Sequence, residues 1–124
     1  MQELLTNSQH NCYKLQTNGI IRFATLSEIV YLKSDGNYTH IFLKDLSQYT
    51  MCKTLQFFEM EFGFCFLRCH KTYLVNSEYI KELNKRNRHL ILTTGESIPF
   101  SRNKGKILED RMKKKFTKLS IAIQ

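Results

Sequence analysis

A tight-turn signal lies between two segments of alternating polarity, and it commits this part of the chain to an antiparallel hairpin. The signal is Asp-Gly-Asn at 35–37, preceded by IVYLKS (29–34) and followed by YTHIFLK (38–44). Gly36 and Asn37 both tolerate the positive φ that a two-residue hairpin turn requires. Aliphatic residues alternate with polar and aromatic ones in the second segment, as in a strand with one buried face. The sequence therefore predicts a β-hairpin here.

The same short-strand rhythm continues over most of the chain. Further strands are predicted at 20–24, 48–52, 79–85, 89–94 and 97–100. The single proline, Pro99, limits the last of these strands to a sheet edge or a strand end, because proline cannot donate a backbone hydrogen bond. No Ser/Gly/Pro-rich linker divides the 124 residues, which is the length of one domain.

A helical period appears after the predicted strand at 48–52. Thr54 is a suitable N-cap for a helix whose apolar residues Leu55, Phe58 and Phe62 are spaced for one face, and Gly63 is placed to end it. The sequence thus predicts one short internal helix.

A second helical pattern lies near the end of the chain. Ser101 is placed to cap a helix with an apolar stripe of Leu108, Met112, Phe116 and Leu119. With two helices at most, the predicted fold class is mainly β, a stack of small antiparallel sheets rather than an α/β fold.

The charge of the chain favours an anionic partner. Nineteen Lys and Arg residues against eleven acids give a net charge of +8. Nucleic acid, an acidic protein and a membrane surface all fit such a surface, and nucleic acid is favoured. No apolar run is long enough to span a membrane, and residues 1–11 do not resemble a signal peptide, so we expect a cytoplasmic protein without a membrane partner.

The stretch RCHKTYLVNSEYI at 68–80 raises three alternatives for its chemistry: a metal site, a nucleophile or a phosphate contact. Cys65, Cys69 and His70 lack a fourth ligand at matched spacing, which argues against zinc. Adjacency of a Cys and a His is weak support for a nucleophile, because such pairs normally meet across a fold. We therefore expect free thiols, no metal and no cofactor.

No enzyme signature is present in the sequence. The chain has no GxSxG, P-loop or GxGxxG motif and no paired-carboxylate arrangement. We accordingly expect that the protein is not an enzyme.

Basic and amide side chains instead cluster at three places that a β fold could present together. Arg and Lys bind phosphates, and Arg, Lys and Asn also match base edges in the major groove. The candidates are Asn37, Tyr38 and His40 at the hairpin; Arg68, His70 and Lys71 before the core segment; and Arg102, Asn103, Lys104 and Lys106 after the Pro99 strand.

Simpler structural explanations exist for several of these features. The Asp-Gly-Asn sequence at 35–37 is favoured in any hairpin turn, whether or not it binds a ligand. His70 is consistent with a half-buried structural histidine, and Lys113–Lys115 are consistent with a solvated helix face. Tyr31 and Tyr38 suit cross-strand packing better than stacking on single-stranded bases.

Three motifs in order resemble the LytTR DNA-binding domain family. FLRCHKTYLVNSEYIKEL (66–83) is similar to its F-x-R-x-H-[RK]-S-[YF]-[LIV]-V-N-x-x-x-I signature, with Thr72 in the usual Ser place. EIVYLKSDGNYTHIFL (28–43) and GESIPFSRNKGKIL (95–108) resemble two further family segments. The resemblance implies an elongated, LytTR-like stack of small antiparallel sheets over 19–118. Residues 1–18 would then be a tail or edge strand, and 119–124 a C-terminal tail.

The resemblance also implies a bacterial transcription regulator of the response-regulator type, in two-component signalling. The partner of such a protein would be double-stranded DNA that carries direct repeats in promoters. The resemblance also allows the protein to bind the DNA as a homodimer. The upstream receiver domain or sensor kinase is not present in this chain.

Carried over by position, the implied DNA-contacting loops coincide with the three places above. The predicted DNA-binding residues are Asn37, Tyr38, His40, His70, Lys71, Arg102, Asn103 and Lys104. Arg102 is the first candidate for base readout and Lys71 the next, while Asn37 and His70 are expected to fix register on the backbone. The alternative function is a basic protein-interaction module of a signalling system, without specific DNA readout.

Overall fold

The computed structural model describes the backbone of residues 12–123 and the side chains of residues 12–115. These residues form ten strands, two α-helices and three 3-10 turns. The strands are β1 (Cys12–Thr17), β2 (Ile20–Thr25), β3 (Ile29–Asp35), β4 (Tyr38–Leu43), β5 (Gln48–Met51), β6 (Phe66–His70), β7 (Tyr73–Asn76), β8 (Ile80–Asn84), β9 (His89–Leu92) and β10 (Ser97–Pro99). The helices are α1 (Leu55–Phe62) and α2 (Gly105–Ile123), and the 3-10 turns are Leu26–Glu28, Ser77–Tyr79 and Arg102–Lys104.

The strands form three small antiparallel sheets. The central sheet has the order β5-β4-β3-β7-β6, a second has the order β10-β9-β8, and β1 pairs with β2 alone. This confirms the predicted mainly β stack with a short internal helix and a C-terminal helix. As predicted, the strand that contains Pro99 is an edge strand.

The predicted hairpin at 35–37 forms between β3 and β4. Asp35 pairs with Tyr38, and Gly36 has φ of +61°. Asn37 does not adopt positive φ, contrary to the expectation, so only the glycine uses the left-handed region. The alternation in β4 is as predicted, because Thr39, Ile41 and Leu43 are buried there while their neighbours are half-buried or exposed.

The central sheet lies between two hydrophobic clusters. In β7, Leu74 packs into the cluster that contains α1 and β1, whereas Val75 packs into the cluster that contains β8, β9 and α2. Successive side chains of a strand point to opposite faces, so a strand covered on both sides has no polar face. This explains the uninterrupted apolar run at Tyr73–Val75.

Helix α1 has the predicted caps. The Thr54 hydroxyl oxygen accepts a hydrogen bond from the Phe57 amide at 3.1 Å, and Gly63 follows the helix with φ of +81°. Leu55, Phe58 and Phe62 are all buried on the same side of the helix, as their spacing predicted.

The start of α2 differs from the prediction. Ser101 makes no side-chain cap but accepts a backbone hydrogen bond from Lys104, which closes a 3-10 turn before the α-helix begins at Gly105. Leu108 is buried and Met112 packs against the same cluster, as expected. The side chains of Phe116 and Leu119 lie outside the described residues.

The β1–β2 hairpin covers α1 and is tied to the central sheet. Tyr13 and Leu15 are buried in the cluster with α1. On the neighbouring strand, Arg22 donates to Asp45 at 2.8 Å and to the Ser47 hydroxyl at 3.1 Å. Residues 12–17, inside the segment predicted as a tail or edge strand, therefore contribute to the core. No helix in the described range is both long and apolar enough to cross a bilayer.

Candidate nucleic-acid interface

The three predicted basic places lie at one end of the central sheet. The Ser34 amide donates to the Thr72 carbonyl at 2.9 Å, which joins the β3–β4 turn to the β6–β7 turn. The Ser101 amide donates to the Cys69 carbonyl at 2.9 Å, which joins the 3-10 turn before α2 to the end of β6. We call this surface the turn face; it consists of Asp35–Tyr38, 70–72 and Arg102–Lys104.

The Arg68 side chain stabilises the β6–β7 turn through hydrogen bonds to its backbone. Its Nε donates to the His70 carbonyl at 3.0 Å and its Nη2 to the Lys71 carbonyl at 2.8 Å. Its Nη1 pairs with Glu59 of α1 at 2.8 Å. Because all three contacts are internal, Arg68 shapes the turn and is not available as a free cation, unlike the basic role suggested by its sequence neighbours.

His70 is half-buried on the turn face, and one of its two ring nitrogens has an internal hydrogen-bond partner. The Thr72 amide donates to His70 Nδ1 at 3.1 Å, so Nδ1 acts as the acceptor. In the neutral ring the proton is therefore on Nε2, which makes that atom a hydrogen-bond donor. Within the described residues Nε2 has no partner, so it is available to an acceptor from outside.

Lys71, Arg102 and Asn103 are exposed side chains of the turn face. In the described part of the chain, none of the three forms a side-chain hydrogen bond or an ion pair. Asn37 is exposed in the same way, whereas Lys104 is half-buried. These free donors at one end are the groups that a phosphate or a base edge requires.

His40 differs from the other predicted residues because both of its ring nitrogens have internal partners. Nε2 lies 2.9 Å from Asp35 and Nδ1 lies 2.8 Å from the Thr50 hydroxyl. The side chain is only 23% exposed. His40 therefore braces the β3–β4 turn through Asp35 and presents no free nitrogen.

The two tyrosines of the hairpin have different environments. Tyr31 stacks on Phe42 with ring centroids 4.4 Å apart, as the cross-strand alternative predicted. Tyr38 is 51% exposed at the rim of an open cleft of about 620 Å³ that also contains Asn18 and Lys53. Only Tyr38 is thus accessible for a ligand.

Cys69 has neither metal-site nor nucleophile geometry. Its side chain is fully buried at a β-bulge in β6, and burial raises the pKa of its thiol to about 12. A thiol with this pKa remains protonated at neutral pH, and the thiolate is the reactive form. Within the described residues no group of His, Cys, Asp and Glu could hold a metal ion.

The structure adds basic residues that the sequence did not single out as part of the site. The Phe100 amide donates to the Arg88 carbonyl at 3.0 Å, which brings the β8–β9 turn beside Arg102. Lys85, Arg88 and Arg102 line the same open cavity of about 450 Å³. Arg86 and Arg88 make the β8–β9 turn recognisably basic in the sequence, but the sequence separation hid the proximity of Arg88 to Arg102.

The sequence profile of the LytTr DNA-binding domain matches residues 19–113. Among solved structures, the chain is similar to the LytTr DNA-binding domain of a protein from Bacillus cereus described as a methyl-accepting/DNA response regulator. The two are 23% identical, with a TM-score of 0.71, and the match covers 80% of this chain and 94% of that one. No curated protein matches the chain. The profile match spans most of the sequence, and the chain belongs to the LytTr DNA-binding domain family, a family of DNA-binding domains and not of enzymes.

Proposed function

We propose that this chain binds double-stranded DNA sequence-specifically and acts in bacterial transcription regulation, as the output domain of a response-regulator system in the cytoplasm. The turn face inserts its loops into successive major grooves at a site of paired direct repeats, which two copies occupy. The observation that carries the proposal is the convergence of three separate segments of free donors at one end of the sheet, joined through backbone hydrogen bonds.

Some residues of the turn face are suited to reading bases, and others are suited to contacting the DNA backbone. Arg102 is exposed in the 3-10 turn and has no ion-pair partner among the described residues, which suits a bidentate contact to guanine. Lys71, at the tip of a turn fixed by Arg68, is the second base-reading candidate. The contacts to the DNA backbone that fix the register are assigned to Asn37, Tyr38, His70 Nε2, Asn103 and Lys104. His40 is also among the predicted DNA-binding residues, but it is assigned here to bracing the β3–β4 turn through Asp35.

Further phosphate contacts are supplied by the basic β8–β9 turn. Arg88 lies beside Arg102 on the cavity wall, whereas Lys85 is partly neutralised by Glu109 at 2.9 Å. A net charge of +8 provides the sequence-independent attraction that precedes specific docking.

The direct test replaces Arg102 by Ala. On its cognate duplex the variant should lose about 1–3 kcal/mol of binding free energy and discriminate less at one base pair. Fluorescence anisotropy with a set of single-base site variants measures both quantities. Lys44→Ala serves as the control, because it removes an exposed cation just after β4, at the end of that strand opposite the turn face. Unchanged affinity and unchanged site preference would show that Arg102 does not read a base.

A further inference from the structure

An open groove lies between the α1–β6 loop and the first turns of α2. It has a volume of about 410 Å³, and its floor is formed by the buried Phe66, Leu67 and Leu108. Two large apolar side chains at its rim are exposed to solvent, Phe64 at 78% and Ile107 at 53%. An apolar surface of this kind on a charged domain is typical of a docking site.

Contacts between α2 and the α1–β6 loop define the shape of the groove. The Arg111 guanidinium lies 4.9 Å from the centre of the Phe64 ring and donates to the Phe64 carbonyl. These two contacts connect α2 to the loop that carries Phe64. The exposed ring is thus held in place by its neighbour, a favourable cation–π arrangement.

The polar part of the groove is positive. Glu59 is the one acidic residue among the described residues that line it, and Arg68 pairs with Glu59 at 2.8 Å. Lys104 and Arg111 also line the groove, and neither has an ion-pair partner in the range whose side chains are described. A ligand that covers the apolar floor therefore meets uncompensated positive charge.

We propose that this groove binds an acidic amphipathic helix of a protein partner. Apolar residues on one face of such a helix would cover Phe64 and Ile107, and its carboxylates would pair with Arg111, the groove cation that lies outside the turn face. DNA would satisfy the cations but leave the two apolar side chains in water. A second copy of a chain with net charge +8 would bring further positive charge to the groove.

The probe for the test is a synthetic, fluorescein-labelled amphipathic peptide with Leu on one helical face and Glu on the other. It should bind the full chain saturably, and added salt should weaken the binding because exposed charges are screened. Ile107→Ser should weaken binding about fivefold or more, as should Phe64→Ser. Leu46→Ser, which changes an apolar side chain that is 85% exposed elsewhere on the surface, should leave binding unchanged.

Several results would overturn the proposal. These are no saturable binding, equal binding of the same peptide with Lys in place of Glu, or an equal loss in Leu46→Ser. Loss of cognate DNA affinity in Ile107→Ser would assign the groove to DNA, and a dimer in sedimentation that Ile107→Ser dissociates would assign it to self-association. Peptide binding without any DNA binding would instead contradict the proposed function and leave this inference standing.

Discussion

At the scale of single residues, side chains of the same type have opposite tasks in this domain. Asn76 is buried, donates from Nδ2 to the Ile29 carbonyl at 2.9 Å and accepts from the Glu78 amide at 3.0 Å. Asn37 is exposed on the turn face. Arg68 and Arg102 differ in the same way, since one is fully engaged inside the protein and the other is free.

The asparagine pair gives a matched test. Asn76→Ala leaves buried backbone groups without partners and should lower the free energy of unfolding by about 1–3 kcal/mol. Asn37→Ala removes no internal contact in the described structure. It should therefore change the free energy of unfolding by less than about 0.5 kcal/mol, while weakening DNA binding. Urea denaturation and anisotropy distinguish the two. An equally small effect on stability in both variants would contradict the internal role of Asn76.

Arg68 and Lys71 separate positioning from direct contact. Arg68→Lys loses the planar fork that holds two carbonyls of the turn, so cognate binding should weaken by about 1–2 kcal/mol with the salt dependence unchanged. Lys71→Ala should lower the slope of log K against log salt by about one unit if Lys71 contacts a phosphate.

Anisotropy titrations at several salt concentrations measure both slopes, and thermal unfolding verifies that both variants are folded. A lower slope in Arg68→Lys would mean that Arg68 itself reaches the DNA. An unchanged slope in Lys71→Ala together with altered base preference would assign Lys71 to base readout.

At the scale of elements, the β1–β2 hairpin depends on charged anchors at the β4–β5 turn. The Ser47 hydroxyl and amide, and then Arg22, lower the pKa of Asp45 from 3.8 to about 2. The Thr25 amide, at 2.8 Å, likewise lowers the pKa of Glu28, which also pairs with Arg22. Both carboxylates stabilise the folded chain in their ionised form.

The Asp45 anchor predicts a specific acid response. Because its folded-state pKa is lowered, its contribution is fully present above the ordinary value of 3.8 and is lost as the pH falls through about 2. Asp45→Asn should therefore destabilise the chain at neutral pH, and the difference from the unmodified protein should shrink between about pH 4 and pH 2. Urea denaturation across this range measures it. A difference that stays constant with pH would rule out the ionised carboxylate as the cause.

At the scale of the whole molecule, local patterns predicted much more than long-range contacts. The Thr54 cap, the Gly36 turn and the Pro99 edge each depend on a few neighbouring residues, and the structure confirms all three. Arg68 and His40 have internal partners that are distant in sequence and become close only in the folded protein. From the sequence alone, their residue types therefore suggested ligand binding.

The site itself shows the same limit. Three loops could be singled out as basic, but their meeting at one end follows from pairing of β3 with β7 and from the contact of Ser101 with Cys69. The approach of the β8–β9 turn to Arg102 is a long-range contact of the same kind and was missed. The 3-10 turn before α2 was also missed, because Ser101 suits the start of either helix type.

Selection from a random duplex pool tests whether the turn face recognises a specific sequence in double-stranded DNA. The unmodified chain and Arg102→Ala are carried through parallel rounds at fixed salt, and the bound DNA is sequenced. We predict that the unmodified chain enriches one motif, repeated directly about one helical turn apart, and that Arg102→Ala loses preference at one position of it. A pool that stays random with the unmodified chain would show that the protein does not recognise a specific DNA sequence.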